Sequence, residues 1–198
     1  MYAGIVGDNV SYNRAAMAHI EKEYPRLITG GCAVHFLDLM IEDLAKLPEI
    51  NTIISIARKL ILFVKSHRRV HRAFKNRVGT SGRLLKLFPA TRFGYCALML
   101  QRVIENRRAL DNIISNYSDP DPWFDVCEGI DADEVEKFER NIRNFELWKM
   151  LTCSYDLLSP VSAAIHHIES NSSVSSWIYL LVTSILKDTK QWLSLIHI

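Results

Sequence analysis

The sequence predicts a mostly α-helical protein with a small α/β part at its start. Three observations carry this. Leu and Ile recur at helical spacing through most of the 198 residues, while there are only 8 Gly and 6 Pro. Two short apolar runs, Tyr2–Val6 and Leu27–Gly31, each lead into a helical pattern, which reads as strand–helix–strand–helix. After Pro48 only helix-period patterns remain. Hydrophobic residues make up 48% and charged residues 23%, a balance that builds a core and excludes a disordered chain.

The elements follow in order. Tyr2–Val6 reads as a buried strand that turns at Gly7-Asp8-Asn9. Ser11 is placed to cap a helix over Tyr12–Tyr24, and Pro25 ends it. Leu27–Gly31 is the second strand. A helix over Ala33–Leu47 sets Phe36, Leu37, Met40, Ile41 and Leu44 on one face, and Pro48 closes it. From Ile50 to about Arg77 the spacing of Ile53, Ala57, Leu60, Val64, His67, His71 and Phe74 predicts one long amphipathic helix. Arg58, Lys65, Arg68, Arg69 and Arg72 fall on a different arc of it.

Gly79–Gly82 is a loop, Leu84–Phe88 is short and apolar, and Pro89 interrupts. Thr91 opens a helix to about Asn116, and a turn-rich linker runs to Pro122. Asp131 or Asp133 caps a helix to about Leu151. Tyr155–Ser170 is the next, and Trp177–Lys187 follows a Ser-rich loop. There is no internal repeat.

No run of about 18 uninterrupted apolar residues is present, so no membrane span or membrane partner is expected. The residues after Met1 have neither a basic stretch nor a long apolar one, so no export signal is read there. Cys32, Cys96, Cys127 and Cys153 are widely spaced and are expected as reduced thiols of the cytosol or nucleus. The last six residues, Leu193–Ile198, resemble one reading frame through the transposon end used in sequencing-library preparation, and are left out of fold reasoning. A strand at the very start predicts strand partners upstream of Met1.

The formal net charge of +2 conceals an asymmetry. Arg58 to Arg108 holds fourteen Lys/Arg and one acid, Glu105. Asp111 to Glu146 holds eleven acids against Lys137, Arg140 and Arg143. A basic block of this kind invites a polyanion. The plainer reading is that the two blocks pair with each other or face water.

Four features are candidates for chemistry. Asp8, just past a strand end, has the position from which a carboxylate holds a divalent metal together with other acids; one carboxylate does not make such a site, and a turn or capping Asp looks the same. Cys32-x-x-His35 has zinc-ligand residue types, but no second pair stands at motif spacing. A small buried thiol and a histidine bonded near a helix start is the plainer account, and both are taken as structural. In Thr91-Arg92-Phe93, Thr91 can cap a helix, Arg92 can grip a phosphate and Phe93 can stack on a base; a capped helix with a core Phe is the alternative. Lys65, Arg68, Arg69 and Arg72 suit a DNA backbone through counterion release, or a solvated face. No Gly-rich phosphate loop, Ser nucleophile elbow or HExxH motif occurs.

Taken together, these pieces resemble the hAT superfamily of cut-and-paste DNA transposases and their relatives described only as domains of unknown function. The matching run is Gly4-Ile-Val-Gly-Asp-Asn9, a helix, Cys32-Ala-Val-His35-Phe-Leu-Asp-Leu39 and Pro89-Ala-Thr-Arg-Phe93. Leu157-Leu-Ser-Pro160 and Ile165-His-His-Ile-Glu169 resemble the family's later helical segment. The resemblance covers about residues 2–190, and the order and spacing of the first three motifs make it specific.

The resemblance implies a partial RNase H-like core over 1–47 and an all-helical insertion domain over 48–190; the tail at 193–198 is read separately as adaptor-derived. It implies that Asp8 is the second of three catalytic acids, the others lying before Met1 and beyond Gln191. The intact protein would cut and join DNA with Mg²⁺ or Mn²⁺, act in the nucleus and form a homo-oligomer. This chain alone would be inactive, with no metal bound. Where the family usually has Trp this chain has Phe93, which keeps a stacking face and loses the indole N–H donor. Gly7 stands where many relatives have Thr. The alternative is a domesticated, non-catalytic nuclear module for DNA binding or protein interaction.

Overall fold

A computed structural model of the chain describes residues 3–8, 10–80, 82–88, 93–118, 121–169 and 183. The expected helix at Trp177–Lys187, the loop before it, the tail at 193–198, the cap Thr91 and Arg92 lie outside the described residues, apart from Thr183. The fold is mostly helical with two short parallel strands. It divides into two compact units: Met1–Asp43 with the chain from Pro160 onward, and Leu44–Ser159.

The first unit opens with β1 (Ala3–Gly7), α1 (Ser11–Glu23), β2 (Leu27–Gly31) and α2 (Ala33–Lys46), the order expected. β1 pairs with β2 in parallel, from Ala3 opposite Leu27 to Gly7 opposite Gly31. The strand partner that β1 needs is therefore found inside the chain. Parallel neighbours require a crossover, and α1 supplies it. Val10, not Ser11, occupies the cap position of α1, with extended backbone and no side-chain cap, so Ser11 is the first helical residue.

The first strand was expected to be buried; instead Val6 is 71% exposed, and Ile28 on the second strand is 65% exposed. The register explains which face is open. Gly4 lies opposite Ile28 and Val6 opposite Gly30, so Val6 and Ile28 share one face with two glycines. The other face takes α1. A β-carbon added to Gly7 would run into the tip of Met17, and the Thr29 hydroxyl donates to the Glu21 carboxylate.

The second unit is helical. It holds α3 (Pro48–Ser66), α4 (Arg68–Val78), a 3₁₀ turn (Phe93–Tyr95), α5 (Cys96–Glu105), α6 (Arg107–Ile114), α7 (Trp123–Val126), α8 (Ala132–Arg143) and the start of α9 (Phe145–Glu169). Pro48 sits in the first turn of α3, where its missing N–H costs nothing. Ile53, Ala57, Leu60, Val64 and Phe74 of the expected stripe are buried.

Three expected helices are interrupted, each at a polar residue. The long helix breaks at His67, whose Nδ1 lies 2.9 Å from the Phe63 carbonyl oxygen in place of regular main-chain geometry. The helix expected to reach Asn116 breaks at Asn106, which is buried and whose Nδ2 donates to the carbonyls of Arg83 (2.8 Å) and Arg102 (2.7 Å). The helix expected to reach Leu151 stops at Arg143; Asn144 caps α9 by accepting from the Leu147 N–H at 3.2 Å. Of the two candidate caps of α8, Asp131 serves, its Oδ1 accepting from the Glu134 N–H at 3.1 Å.

Burial also fixes the character of Cys127. Desolvation, then the nearby Glu139 carboxylate, pushes its thiol from 9.0 up to about 12. A raised folded-state value means that the unfolded chain gives up this proton first. The contribution to stability is complete below about pH 9 and is lost as pH rises toward about 12. Cys127 in the folded chain is expected to resist iodoacetamide at pH 8 and to react once urea unfolds it; mass mapping of the alkylated peptide reads this directly. Rapid labelling in the native state would show that the thiol is not held in its protonated form.

Candidate functional site

The parallel register creates the first candidate site. Gly7 and Gly31 are the last paired residues, so Asp8 and Cys32 emerge side by side where both strands end. The Cys32 N–H donates to the Gly7 carbonyl at 2.8 Å and carries the ladder one step further. The Cys32 carbonyl then accepts from the Phe36 N–H at 3.2 Å, the first turn of α2. His35 rises from that turn toward the neighbouring strand end, and its Nδ1 lies 3.2 Å from Oδ1 of Asp8.

This edge, the carboxyl ends of parallel strands, is where open α/β sheets bind ligands. The start of α2 adds favourable potential for a carboxylate. Asp8 is 53% and His35 31% exposed, so both reach solvent. A carboxylate and an imidazole this close can share a cation or pass a proton. Among the described residues, no three or more of His, Cys, Asp and Glu come together as a metal cluster.

The sequence treated His35 as a structural partner of Cys32 and missed its direct approach to Asp8. The signal is the register, which the chain alone does not express: with Gly7 opposite Gly31, positions 8 and 32 are neighbours. Cys32 is half-buried and makes no disulfide.

The second candidate surface lies on α3 and α4. Here the structure separates four cations that the sequence grouped. Arg69 Nη1 donates to Glu128 Oε2 at 2.6 Å and to the Asp125 carbonyl at 3.2 Å. This hydrogen bond and the arginine's charge hold the Glu128 carboxyl below its ordinary range. Arg72 Nη2 lies 3.4 Å from Asp121 Oδ1. Both pairs join the basic block to the acidic one, across 59 and 49 residues of chain. Lys65 and Arg68 are exposed and have no ion-pair partner among the described residues.

All four cations remain on the surface, where such ion pairs contribute about 0–1 kcal/mol each and are screened by salt. Phosphates therefore face competition at Arg69 and Arg72, and none of that kind at Lys65 and Arg68. Arg92 lies outside the described residues; the backbone of Phe93 opens the 3₁₀ turn ahead of α5. No helix among the described residues is long and apolar enough to cross a membrane.

No family model matches the chain, and no similar curated protein or solved structure was found.

Proposed function

We propose that this chain is part of a hAT-like DNA transposase that acts on DNA in the nucleus. It would contribute a partial RNase H-like core and most of a helical insertion. The carrying observation is the approach of His35 to Asp8 at 3.2 Å, at the carboxyl end of a parallel strand pair. Two further features support the reading. Parallel sheets are stable when covered on both faces, and the open Gly4–Val6–Ile28–Gly30 face asks for the remainder of such a core. The helical unit then presents Lys65 and Arg68 to the backbone of DNA.

In the intact protein, Mg²⁺ or Mn²⁺ would supply charge stabilisation to the attacking and leaving oxygens of a phosphodiester. Asp8 would be one ligand, and His35 would orient its carboxylate. Arg92 and Phe93 would add a phosphate grip and a stacking face. Asp8 is one of the three acids the chemistry requires, so the chain by itself is expected not to cleave DNA. A domesticated, non-catalytic DNA-binding module is the second reading. It is favoured by the placement of Lys65 and Arg68 in a different compact unit from Asp8.

Fluorescence anisotropy on a short duplex tests both. Affinity is expected to fall steeply between about 50 and about 200 mM salt, and Lys65→Glu with Arg68→Glu to weaken binding by about tenfold or more. Alanine at Arg69 and Arg72 should do less, since their charges are already met. An absence of binding at low salt would sink both DNA readings. Cleavage by this chain with Mn²⁺ that disappears in Asp8→Asn would overturn the claim that its site is incomplete. Acids in the flanking genomic sequence separate the transposase from the domesticated module.

A further inference from the structure

Along α4 the cations form a track that the DNA reading uses only in part. Arg68, Arg72 and Lys75 stand at i, i+4 and i+7, one stripe of the helix about 10 Å long, and Arg69 stands beside it. All four are exposed, and α4 has no acid of its own. Arg68 and Lys75, at the two ends of the stripe, have no ion-pair partner among the described residues. Arg72 between them is met by Asp121, and Arg69 by Glu128.

These carboxylates come from outside the helix. Asp121 stands just before α7 and Glu128 just after it. The backbone that carries them is tied to the helical unit. Trp123 is 5% exposed; its main-chain N–H donates to the Asn116 carbonyl at 2.7 Å and its Nε1 to Glu139 Oε1 at 2.6 Å. Asn116 Nδ2 in turn donates to the Asp121 carbonyl at 2.7 Å. The movable partners are the arginines, whose side chains are 54% and 68% exposed at positions 69 and 72.

A phosphate and a carboxylate accept from the same guanidinium N–H groups, so the two compete for one arginine. A duplex laid on α4 finds Arg68 and Lys75 open. It reaches Arg69 and Arg72 only by breaking two ion pairs. Exposed pairs of this kind are weak, so they oppose phosphate contact without forbidding it.

We propose that Asp121 and Glu128 form a built-in brake on DNA binding: they hold Arg69 and Arg72 off the phosphate backbone, and a duplex engages these arginines only by drawing them away. The inference rests on the DNA reading and adds the regulation of that same surface.

Fluorescence anisotropy on the full chain with a short DNA duplex tests it. Asp121→Asn with Glu128→Gln removes both charges and keeps the side-chain shapes. This pair is expected to tighten duplex binding by about fivefold or more at low salt. It should also steepen the fall of log affinity with log salt by about 2, the value for two added phosphate contacts. Glu136→Gln with Glu146→Gln makes the same change in net charge at carboxylates that face Arg140 and Lys149, and should give a clearly smaller gain. With Arg69→Ala and Arg72→Ala already in place, the gain from Asp121→Asn with Glu128→Gln should fall to that of the control pair. Circular dichroism checks that each variant keeps its helices.

Equal gains from the two pairs of acids would overturn the proposal, because net charge alone would then account for them. So would a gain that survives loss of the two arginines. A parent chain that binds the duplex with an affinity and salt slope unchanged by the Asp121 and Glu128 substitutions would remove the brake and leave the DNA reading standing. Absence of binding by the parent and by every variant at low salt would remove both.

Discussion

Truncation of Phe138 to alanine is expected to destabilise the helical unit by about 3–5 kcal/mol. Phe138 is 3% exposed, and its ring joins three elements. It stacks on Phe63 of α3 at 4.2 Å and faces Trp123 of α7 with centroids 5.9 Å apart, while its own backbone belongs to α8. Alanine removes the apolar burial and leaves a void that two rigid rings and their helices close only in part. Loss of the aromatic pairing adds about 0.5–1.5 kcal/mol to what area alone would give. Phe138→Leu keeps most of the volume and should cost clearly less. Urea unfolding followed by circular dichroism gives both values. A loss below about 1 kcal/mol for alanine would mean that α8 does not pack on α3 as described. Such a loss is a large share of the about 5–15 kcal/mol that holds a domain folded.

The second large effect is expected at Asn106, for a different physical reason. In an uninterrupted helix the Arg102 carbonyl would accept from the main-chain N–H of residue 106. Here that N–H turns to the Val103 carbonyl at 3.2 Å, and the chain bends out of α5 into α6. The Asn106 side chain replaces the lost donor, giving one hydrogen to Arg102 and the other to Arg83. Asn106→Leu keeps the branched outline in a larger side chain and has no donor, so both carbonyls lose this partner beside a residue that is 4% exposed.

An unsatisfied buried polar group costs about 1–3 kcal/mol, so the variant should lose at least that much. The Arg83 contact anchors the stretch that carries buried Leu85, and amide exchange along 83–88 should accelerate in the variant. A leucine variant as stable as the parent would show that water takes over the role of the amide.

These positions show how far the sequence could be read. Periodicity found the buried stripe of α3 and α4, because burial of one helical face requires apolar residues at that spacing. Asp131 before an amphipathic stretch announced the start of α8, since its oxygen meets a main-chain N–H three residues on. The breaks at His67, Asn106 and Asn144 were not legible. The apolar stripe runs through His67 without a change of phase: Val64 and Val70 are both buried. What marks each break is a polar side chain bonding to main chain, and nothing in the apolar periodicity announces that it does so.

The charged blocks were legible as blocks, but their partners were not. Nothing local distinguishes Arg69 from Arg68, since both are exposed cations on α4. Arg69 is met by Glu128, 59 residues away, and Arg68 has no ion-pair partner among the described residues. Asp8 was legible as an acid past a strand end. Its nearness to His35 depends on the parallel register of two strands separated by α1, and no spacing along the chain expresses it.

The sequence by itself determined the helical class, the strand–helix–strand–helix order of the first part, the buried stripes and the basic and acidic blocks. Each follows from residue type and local spacing, which act over one or two turns of chain. Tertiary structure decided where helices stop, which cations keep their charge free, that Val6 and Ile28 face outward, and that Asp8 meets His35. The helix ends turn on polar side chains bonding to main chain mostly three or four residues away, while the ion pairs and the meeting of strand ends join groups across tens of residues, and in both cases packing and hydrogen-bond satisfaction override what a short segment prefers.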